Sequence, residues 1–430
     1  MLNVRPPRSK KGPLVLLVML LASGCAALAG LGDFSEGNED PEDSGSPGFV
    51  VAVEPSTIVL APKEDMSATV TIAANPPLRQ DAFVRVDGLP PGVTAAPVAI
   101  ARPSGSTAKG TLVFHADADA GRAAGESQVV ASAEPLHDEA PIQVRVLGPP
   151  IVFDTPKAAP FIVPEGITAI YVKIWGAGGG AGMNGATGGA GGFVFGRIDV
   201  TPGEVLTLRI GAGGGAGTGS EDAGAASGGG GAGLTGVFRS TTALMIAGSG
   251  GGGGAVGYSG GIITNGAGAG GGGGADGGAG GGPTGAAGGT GANGGAAGSN
   301  GSCGDAGATA GRALFGGTGA GGTPGGPGGD AGGGDGRRAE LGGGGGGGAG
   351  AFGGGGGGCG TSVIAVKYGG GGGGGGSSLA PGKEARVLDG NGVTPGGNRD
   401  VDYDGRAGKG GAVGANGPEP GAPGRIVIRY

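Results

Sequence analysis

The sequence predicts a mainly β protein. A β-sandwich is expected over residues 49–148, followed over 150–430 by a second β-sandwich that bears a bundle of glycine-rich, polyglycine-II-type helices. Three observations predict this. Residues 49–147 alternate apolar and polar positions with period two, the signature of half-buried strands. A glycine-rich block, 176–424, is framed by strand-like sequence: Ile170-Tyr171-Val172-Lys173-Ile174-Trp175 before it, and Arg425-Ile426-Val427-Ile428-Arg429-Tyr430 after it. Within the block, several runs hold glycine at every third position, the period of an extended helix with three residues per turn.

The first 25 residues read as a targeting segment. Arg5, Arg8, Lys10 and Lys11 precede an apolar core, Leu14 to Ala22, too short for the ~20 residues of a membrane-spanning helix. The core runs into Leu21-Ala22-Ser23-Gly24-Cys25. This resembles the lipobox of bacterial lipoproteins, with the leucine one place further from the cysteine than in its commonest form. The resemblance implies a signal peptide cleaved before Cys25 and acylation of that thiol, palmitate included. An ordinary secretory signal is the alternative. By the sorting rule of lipoproteins in double-membrane bacteria, Ala26 after the cleavage site, where Asp would retain the protein, implies the outer membrane, facing either the periplasm or the cell surface. More than one acyl chain anchors a protein stably.

Residues 26–48 read as an acidic tether. Asp33, Glu36, Glu39, Asp40, Glu42 and Asp43 stand among Gly, Ser and Pro, and like charges keep such a linker extended. The whole chain carries a net charge of −7 and no basic stripe, which argues against a nucleic-acid partner. Cys25 is assigned to lipid, so Cys303 and Cys359 remain as the one possible disulfide. Export favours that bond, which would contribute ~3–4 kcal/mol; two free thiols are the alternative.

In the sandwich region, Ala68, Val70 and Ile72 alternate with threonines, and Ile142, Val144 and Val146 fall on one face. Leu112 with Phe114, Val84 with Val86, and Val129 with Ala131 repeat the pattern. Pro91-Gly92 suits a type II turn. Gly88-Leu89-Pro90-Pro91-Gly92-Val93-Thr94-Ala95, between two strands, resembles immunoglobulin-like modules of bacterial surface proteins. That resemblance implies a spacer, or alternatively a ligand-binding module.

In the second domain, strands are expected at Ile170–Trp175, Phe193–Val200 and Val205–Ile210, with a turn at Thr201-Pro202-Gly203-Glu204. Short strands follow at 237–238, 244–246, 363–366 and 426–428. Glycine holds every third position from 176 to 191, 282 to 294, 316 to 328 and 405 to 417. Extended helices with glycine on one edge approach closely and bond backbone to backbone, which satisfies N–H and C=O groups without a side-chain core. The runs are short, out of phase and poor in proline, which argues against collagen. Disorder is the competing reading, because ordering this much glycine is entropically costly. The frame with Trp175-Gly176-Ala177-Gly178-Gly179-Gly180, Thr201-Pro202-Gly203, Arg209-Ile210-Gly211-Ala212-Gly213-Gly214, Gly369 to Gly376 with Ser377-Ser378, and Gly424-Arg425-Ile426-Val427-Ile428 resembles the glycine-rich domain of anaplastic lymphoma-type receptor kinases and of bacterial glycine-rich surface proteins. The resemblance implies recognition or adhesion; it transfers no ligand residue.

No catalytic set emerges. Gly176-x-Gly178-x-x-Ala181 with Asp199 imitates a dinucleotide fingerprint, but Gly182 to Gly189 cannot form the required helix. Gly257-Tyr258-Ser259-Gly260-Gly261 matches the G-x-S-x-G elbow, but the two histidines, His115 and His137, both precede it. His115 is expected in a strand and His137 in a turn. Asp400, Asp402 and Asp404, alternating before Gly405, resemble the start of a calcium loop, although Gly411 replaces its closing acid. Gly271 to Asp276 and Gly325 to Asp330 fit a calcium β-roll repeat without a tandem array. Calcium at Asp400–Asp404 is therefore the one cofactor expectation, against an acidic solvated turn. The functional expectation is a non-enzymatic outer-membrane lipoprotein, adhesive or structural at the cell envelope. The partners are the membrane, through the lipid, and a glycan or surface-protein ligand. The alternatives are a periplasmic glycan-binding accessory protein and an ice- or surface-binding protein.

Overall fold

The computed structural model describes residues 48–430 except 76, 102–105, 220–224, 258–262, 266, 300–306, 331, 364–365, 381 and 383–384. The targeting segment with Cys25, the tether and Cys303 lie outside the described residues. Every regular element among the described residues is a strand, so the protein is mainly β.

The first module is built from β1 (Gly48–Glu54), β2 (Thr57–Leu60), β3 (Asp65–Asn75), β4 (Ala82–Asp87), β5 (Val93–Ala95), β6 (Val98–Ile100), β7 (Thr107–Ala116), β8 (Ala123–Ala133) and β9 (Leu136–Val146). They form two sheets, ordered β1-β3-β7-β5 and β2-β9-β8-β4-β6. β2 runs parallel to β9, and the other pairs are antiparallel. The period-two alternation sends Val70, Ile72, Leu112 and Phe114 from one sheet and Val84, Val129, Ile142 and Val144 from the other into a single core. Gly92 takes φ +77° in the expected Pro91-Gly92 turn. His115 lies in β7 as expected, but His137 lies in β9 and not in a turn. The hairpin reverses before it, at 134–135, and Leu136 already pairs with Ala133.

The second module begins with β10 (Ile151–Phe153), β11 (Lys157–Ile162), β12 (Ala169–Trp175), β13 (Phe193–Asp199) and β14 (Val205–Ile210). Within the glycine block follow β15 (Ala226–Ser227), β16 (Thr235–Arg239), β17 (Thr242–Ala247), β18 (Ile263–Asn265), β19 (Thr323–Pro324), β20 (Arg337–Ala339), β21 (Thr361–Val363), β22 (Val366–Tyr368), β23 (Arg386–Leu388), β24 (Val413–Gly414) and β25 (Gly417–Pro418). β26 (Arg425–Arg429) closes the module. One sheet is ordered β10-β26-β12-β13-β23 and the other β11-β14-β16-β17. Their facing side chains, among them Ile170, Val172, Ile174, Leu206, Leu208, Val237, Ile426 and Ile428, make the second core. The turn at 201–204 is present: Gly203 takes φ +79°, and the Glu204 N–H donates to the Thr201 carbonyl at 3.0 Å. The single strand expected at 363–366 is instead divided between two antiparallel strands, β21 and β22, with Val363 opposite Val366; residues 364–365 lie outside the described part. A short apolar run carries no local signal for where the chain reverses.

Trp175 and Arg425 are direct cross-strand partners. The glycine block therefore leaves and re-enters the sheet at one point between β12 and β26. Its backbone bonds mostly to itself. Gly189 N–H donates to the Gly251 carbonyl (2.8 Å), Gly251 to Gly271 (2.9 Å), Gly271 to Gly373 (2.9 Å), Gly373 to Gly252 (2.9 Å) and Gly252 to Gly346 (2.7 Å). Residues 248–255, 342–349 and 369–377 are almost entirely buried although they carry little more than glycine. The close approaches repeat every third residue. A Cβ on Gly176, Gly179 or Gly182 would run into the carbonyl of Gly248, Gly251 or Gly254, respectively. One on Gly370, Gly373 or Gly376 would run into that of Gly343, Gly346 or Ala349.

Residues 48–430 form one compact unit. The boundary expected near 148–150 is a junction and not a loose linker. Gly148 N–H donates to the Tyr430 carbonyl at 3.1 Å, and Arg429 Nη1 donates to the Gly148 carbonyl at 2.6 Å.

Candidate functional site: a buried ion cluster beside a polar groove

Strand β12 has two buried faces. Ile170, Val172 and Ile174 enter the second core, so Tyr171, Lys173 and Trp175 point the other way. That second face is covered. Tyr171, Trp175, Phe193, Phe195 and Val427 pack with Val59 and Leu147 of the first module and with Ala407 and Tyr403 of the 397–407 loop. The Trp175 ring lies 4.9 Å from that of Phe193 and 6.1 Å from that of Tyr403, centroid to centroid. Its Nε1–H reaches the Gly397 carbonyl at 3.4 Å.

Lys173 stands in this aromatic field with its side chain 3 % exposed. Its Nζ lies 2.9 Å from Asp400 Oδ1, 3.1 Å from Asp402 Oδ2 and 3.4 Å from Glu64 Oε1. Arg429, on the adjacent strand β26, donates from Nη2 to Asp402 Oδ1 at 2.6 Å and from Nε to Oδ2 at 3.1 Å. Glu64 comes from the β2–β3 turn, where its other oxygen accepts the Ala61 N–H at 2.8 Å. Two cations and three carboxylates thus join strand, loop and first module at one point. Burial opposes the charge on Lys173, but Glu64, Asp400 and Asp402 outweigh it and raise its pKa. Burial likewise opposes ionisation of Asp402, and the Arg429 hydrogen bond with the Lys173 and Arg429 charges outweighs it and lowers that pKa.

This geometry gives the three aspartates of the calcium expectation other partners. Asp400 and Asp402 turn onto the Lys173 ammonium. Asp404 accepts the Arg406 and Ala407 N–H groups, both at 2.8 Å, and pairs with Arg425 at 3.2 Å. Burial opposes the charge on Asp404, and these partners outweigh it and lower its pKa. Among the described residues, no group of three or more His, Cys, Asp or Glu side chains is placed to hold a metal ion. Alternate carboxylates before a glycine serve an ion cluster as readily as a metal loop, and the cation comes from a distant strand.

On the outer side of the same loop lies a groove of about 810 Å³. Segments 393–398, 403–412 and 419–422 form its walls. Gly410 N–H donates to the Val393 carbonyl (3.2 Å), Ala422 N–H to that of Lys409 (2.8 Å) and Glu419 N–H to that of Ala412 (2.9 Å). Gly411 and Gly421 donate onward to Gly179 (2.8 Å) and Gly214 (2.9 Å), which ties the groove to the rest of the glycine block. Thr394, Asn398, Arg406, Lys409 and Glu419 supply its polar side chains. No part of this groove was legible in the sequence, because the three segments converge only through the fold.

The remaining sequence-flagged residues take structural positions or lie outside the described part. A Cβ on Gly176 or Gly178 would strike backbone of the 248 or 409 segment, so those glycines face protein and not pyrophosphate. Of Gly257–Gly261, residues 258–261 lie outside the described part. His115 Nδ1 lies 2.6 Å from Asp65 Oδ1 on the exposed surface, and His137 is exposed. Asp276 accepts the Gly291 N–H at 3.0 Å and so ties one glycine segment to another. Cys359 is buried and disulfide-bonded; its expected partner, Cys303, is outside the described residues. No helix among the described residues is long and apolar enough to cross a membrane. No known protein-family model matches the sequence, and no curated protein matches it.

Proposed function

We propose that this chain is a non-enzymatic lipoprotein of a bacterial outer membrane, anchored through Cys25, which holds out a rigid glycine-rich body as an adhesive or structural element of the cell envelope. The observation that carries the reading is the lateral backbone bonding of the glycine block, with close approaches at every third residue. A three-residue step is the turn of a polyglycine-II-type helix, and we read the buried glycine segments as a packed bundle of such helices. Flexible linkers and disordered tails leave their N–H groups to water, whereas these are paired within the protein. The first module, read as an immunoglobulin-like spacer, is locked to that body through Glu64, Val59 and Leu147. A spacer fixed to its head holds the head at a set angle, and the acidic tether supplies reach.

Amide hydrogen exchange on the full chain tests the bundle. Protection at Gly251, Gly271, Gly346 and Gly373 is expected to match that of β12 and β26. Exchange of these amides at the unprotected rate would overturn the reading. Anchoring is tested by Cys25→Ser in the native host. The variant is expected to lose its acyl mass and leave the membrane fraction. Retention of the variant in that fraction would remove the lipoprotein assignment.

A further inference from the structure

The adhesive reading has no ligand, and the groove beside the ion cluster is where the fold offers one. We propose that it binds an acidic polysaccharide carrying carboxylate groups; the inference rests on the adhesive reading only for its biological setting.

Charge is the first argument. The chain is acidic, at net −7, yet the groove has a cationic excess. The nearby carboxylates are already spent: Asp400 and Asp402 on Lys173 and Arg429, and Asp404 on Arg425. The Arg406 and Lys409 side chains line the groove and are exposed; neither is held in a side-chain hydrogen bond or close ion pair among the described residues, although the Arg406 charge helps to lower the pKa of Asp404. Only Glu419 among the lining residues opposes them. A guanidinium whose N–H groups are not taken up by a close ion pair grips a carboxylate through two parallel N–H bonds, and an ammonium adds a point charge.

Chemistry and shape choose the ligand class. A peptide would dock by adding a strand or by burying apolar anchors. The groove's backbone is not free for a strand, since Gly410, Gly411, Glu419, Gly421 and Ala422 all donate within the protein. Its polar side chains are instead those that meet a carboxylated sugar. Arg406 and Lys409 take the carboxylate, Glu419 accepts from ring hydroxyls, and Thr394 and Asn398 both donate and accept. Glu419 also disfavours polyanions of dense charge such as sulfated chains. Pro420, which is exposed, offers apolar surface to the sugar ring. The volume falls within the range of pockets that hold small ligands. The walls are braced by backbone bonds, so little ordering is needed on binding.

The test is calorimetric titration of the full-length chain with oligogalacturonate, chondroitin sulfate, neutral malto-oligosaccharide and poly-glutamate. Saturable binding is expected for oligogalacturonate, weakening as salt rises, with none for the neutral sugar. The double variant Arg406→Ala/Lys409→Ala is expected to lose about tenfold or more in affinity. It should keep the wild-type unfolding midpoint to within a small change, since both side chains are exposed and neither is held in a close ion pair. Arg406→Lys, which keeps charge and loses the fork, should fall between. Absence of saturable binding to oligogalacturonate overturns the proposal, as does undiminished binding by the double variant. Poly-glutamate binding as tightly would replace it with an acidic-peptide site, and tighter chondroitin sulfate binding would replace it with a general polyanion site. None of these outcomes touches the exchange test of the bundle, so the two readings fail separately.

Discussion

Gly373→Ala is expected to destabilise the glycine-rich body strongly. A single methyl is added, and it has no place to go. The Cβ would enter the Gly346 carbonyl, with Gly345 O behind it at 3.0 Å, far inside any distance that real Cβ atoms show. The obstacle is backbone and not the end of a flexible side chain, so relief requires the 342–349 segment to move. That segment is itself bonded: Gly345 donates to Gly371, Gly346 to Gly229 and Gly347 to Gly317. Overpacking ordinarily costs ~1–3 kcal/mol, and here about 3 kcal/mol or more is expected because neither neighbour can yield. That is a large share of the ~5–15 kcal/mol of a folded domain. Denaturant unfolding of both variants checks it, with Gly291→Ala as the control, because a Cβ there meets nothing within 4 Å. Equal midpoints for Gly373→Ala and Gly291→Ala would show that the segments are not packed as described.

Lys173→Met is expected to be the most damaging substitution outside the glycine block. Methionine matches the bulk of lysine but leaves Glu64, Asp400 and Asp402 facing one another with Arg429 as their only cation. Removing one partner from a buried ion cluster costs ~3–5 kcal/mol, and the side chains concerned are 3–13 % exposed. Because Glu64 belongs to the first module, the loss should also loosen the junction, which hydrogen exchange at Leu147 and Gly148 would register. pH supplies a second readout. The folded pKa of Asp402 lies below its unfolded value of ~3.9. Its contribution is therefore present above that value and lost as pH falls through the lower, folded one. The folded pKa of Lys173 lies above its unfolded value of ~10.4. Its contribution is complete below that value and lost as pH rises through the higher one. Wild-type stability from the cluster should be flat between about pH 5 and pH 10. The difference between wild type and Lys173→Met should shrink above that range. A difference that stays constant into strong alkali would show that Lys173 acts by packing alone.

The frame of the protein was legible because it rests on local periodicity. Alternation in 68–72, 142–146 and 205–210 marks one buried face per strand, and it holds in the structure. The strand-like flanks of the glycine block also read correctly, since Ile170–Trp175 and Arg425–Arg429 are neighbours in one sheet. The division of 361–368 into two antiparallel strands and the strand position of His137 were missed, because reversal points in short β segments leave little trace in residue type. The partners of Asp400–Asp404 were not legible for a deeper reason. Ligand spacing specifies where carboxylates stand, not which cation they meet.

Composition and period by themselves determined that the chain is β-rich, that its glycines recur at every third residue in several runs, and that an insertion leaves and rejoins one sheet. These are properties of neighbouring residues, and neighbouring residues carry them. Tertiary structure alone decided that Lys173 lies against Asp400, 227 residues away in sequence, and that segments 393–398, 403–412 and 419–422 enclose a groove. Glycine is the physical reason. With no side chain to vary, it bears no mark of its partner, so the partner is set by which backbone N–H and C=O groups the completed fold brings into reach.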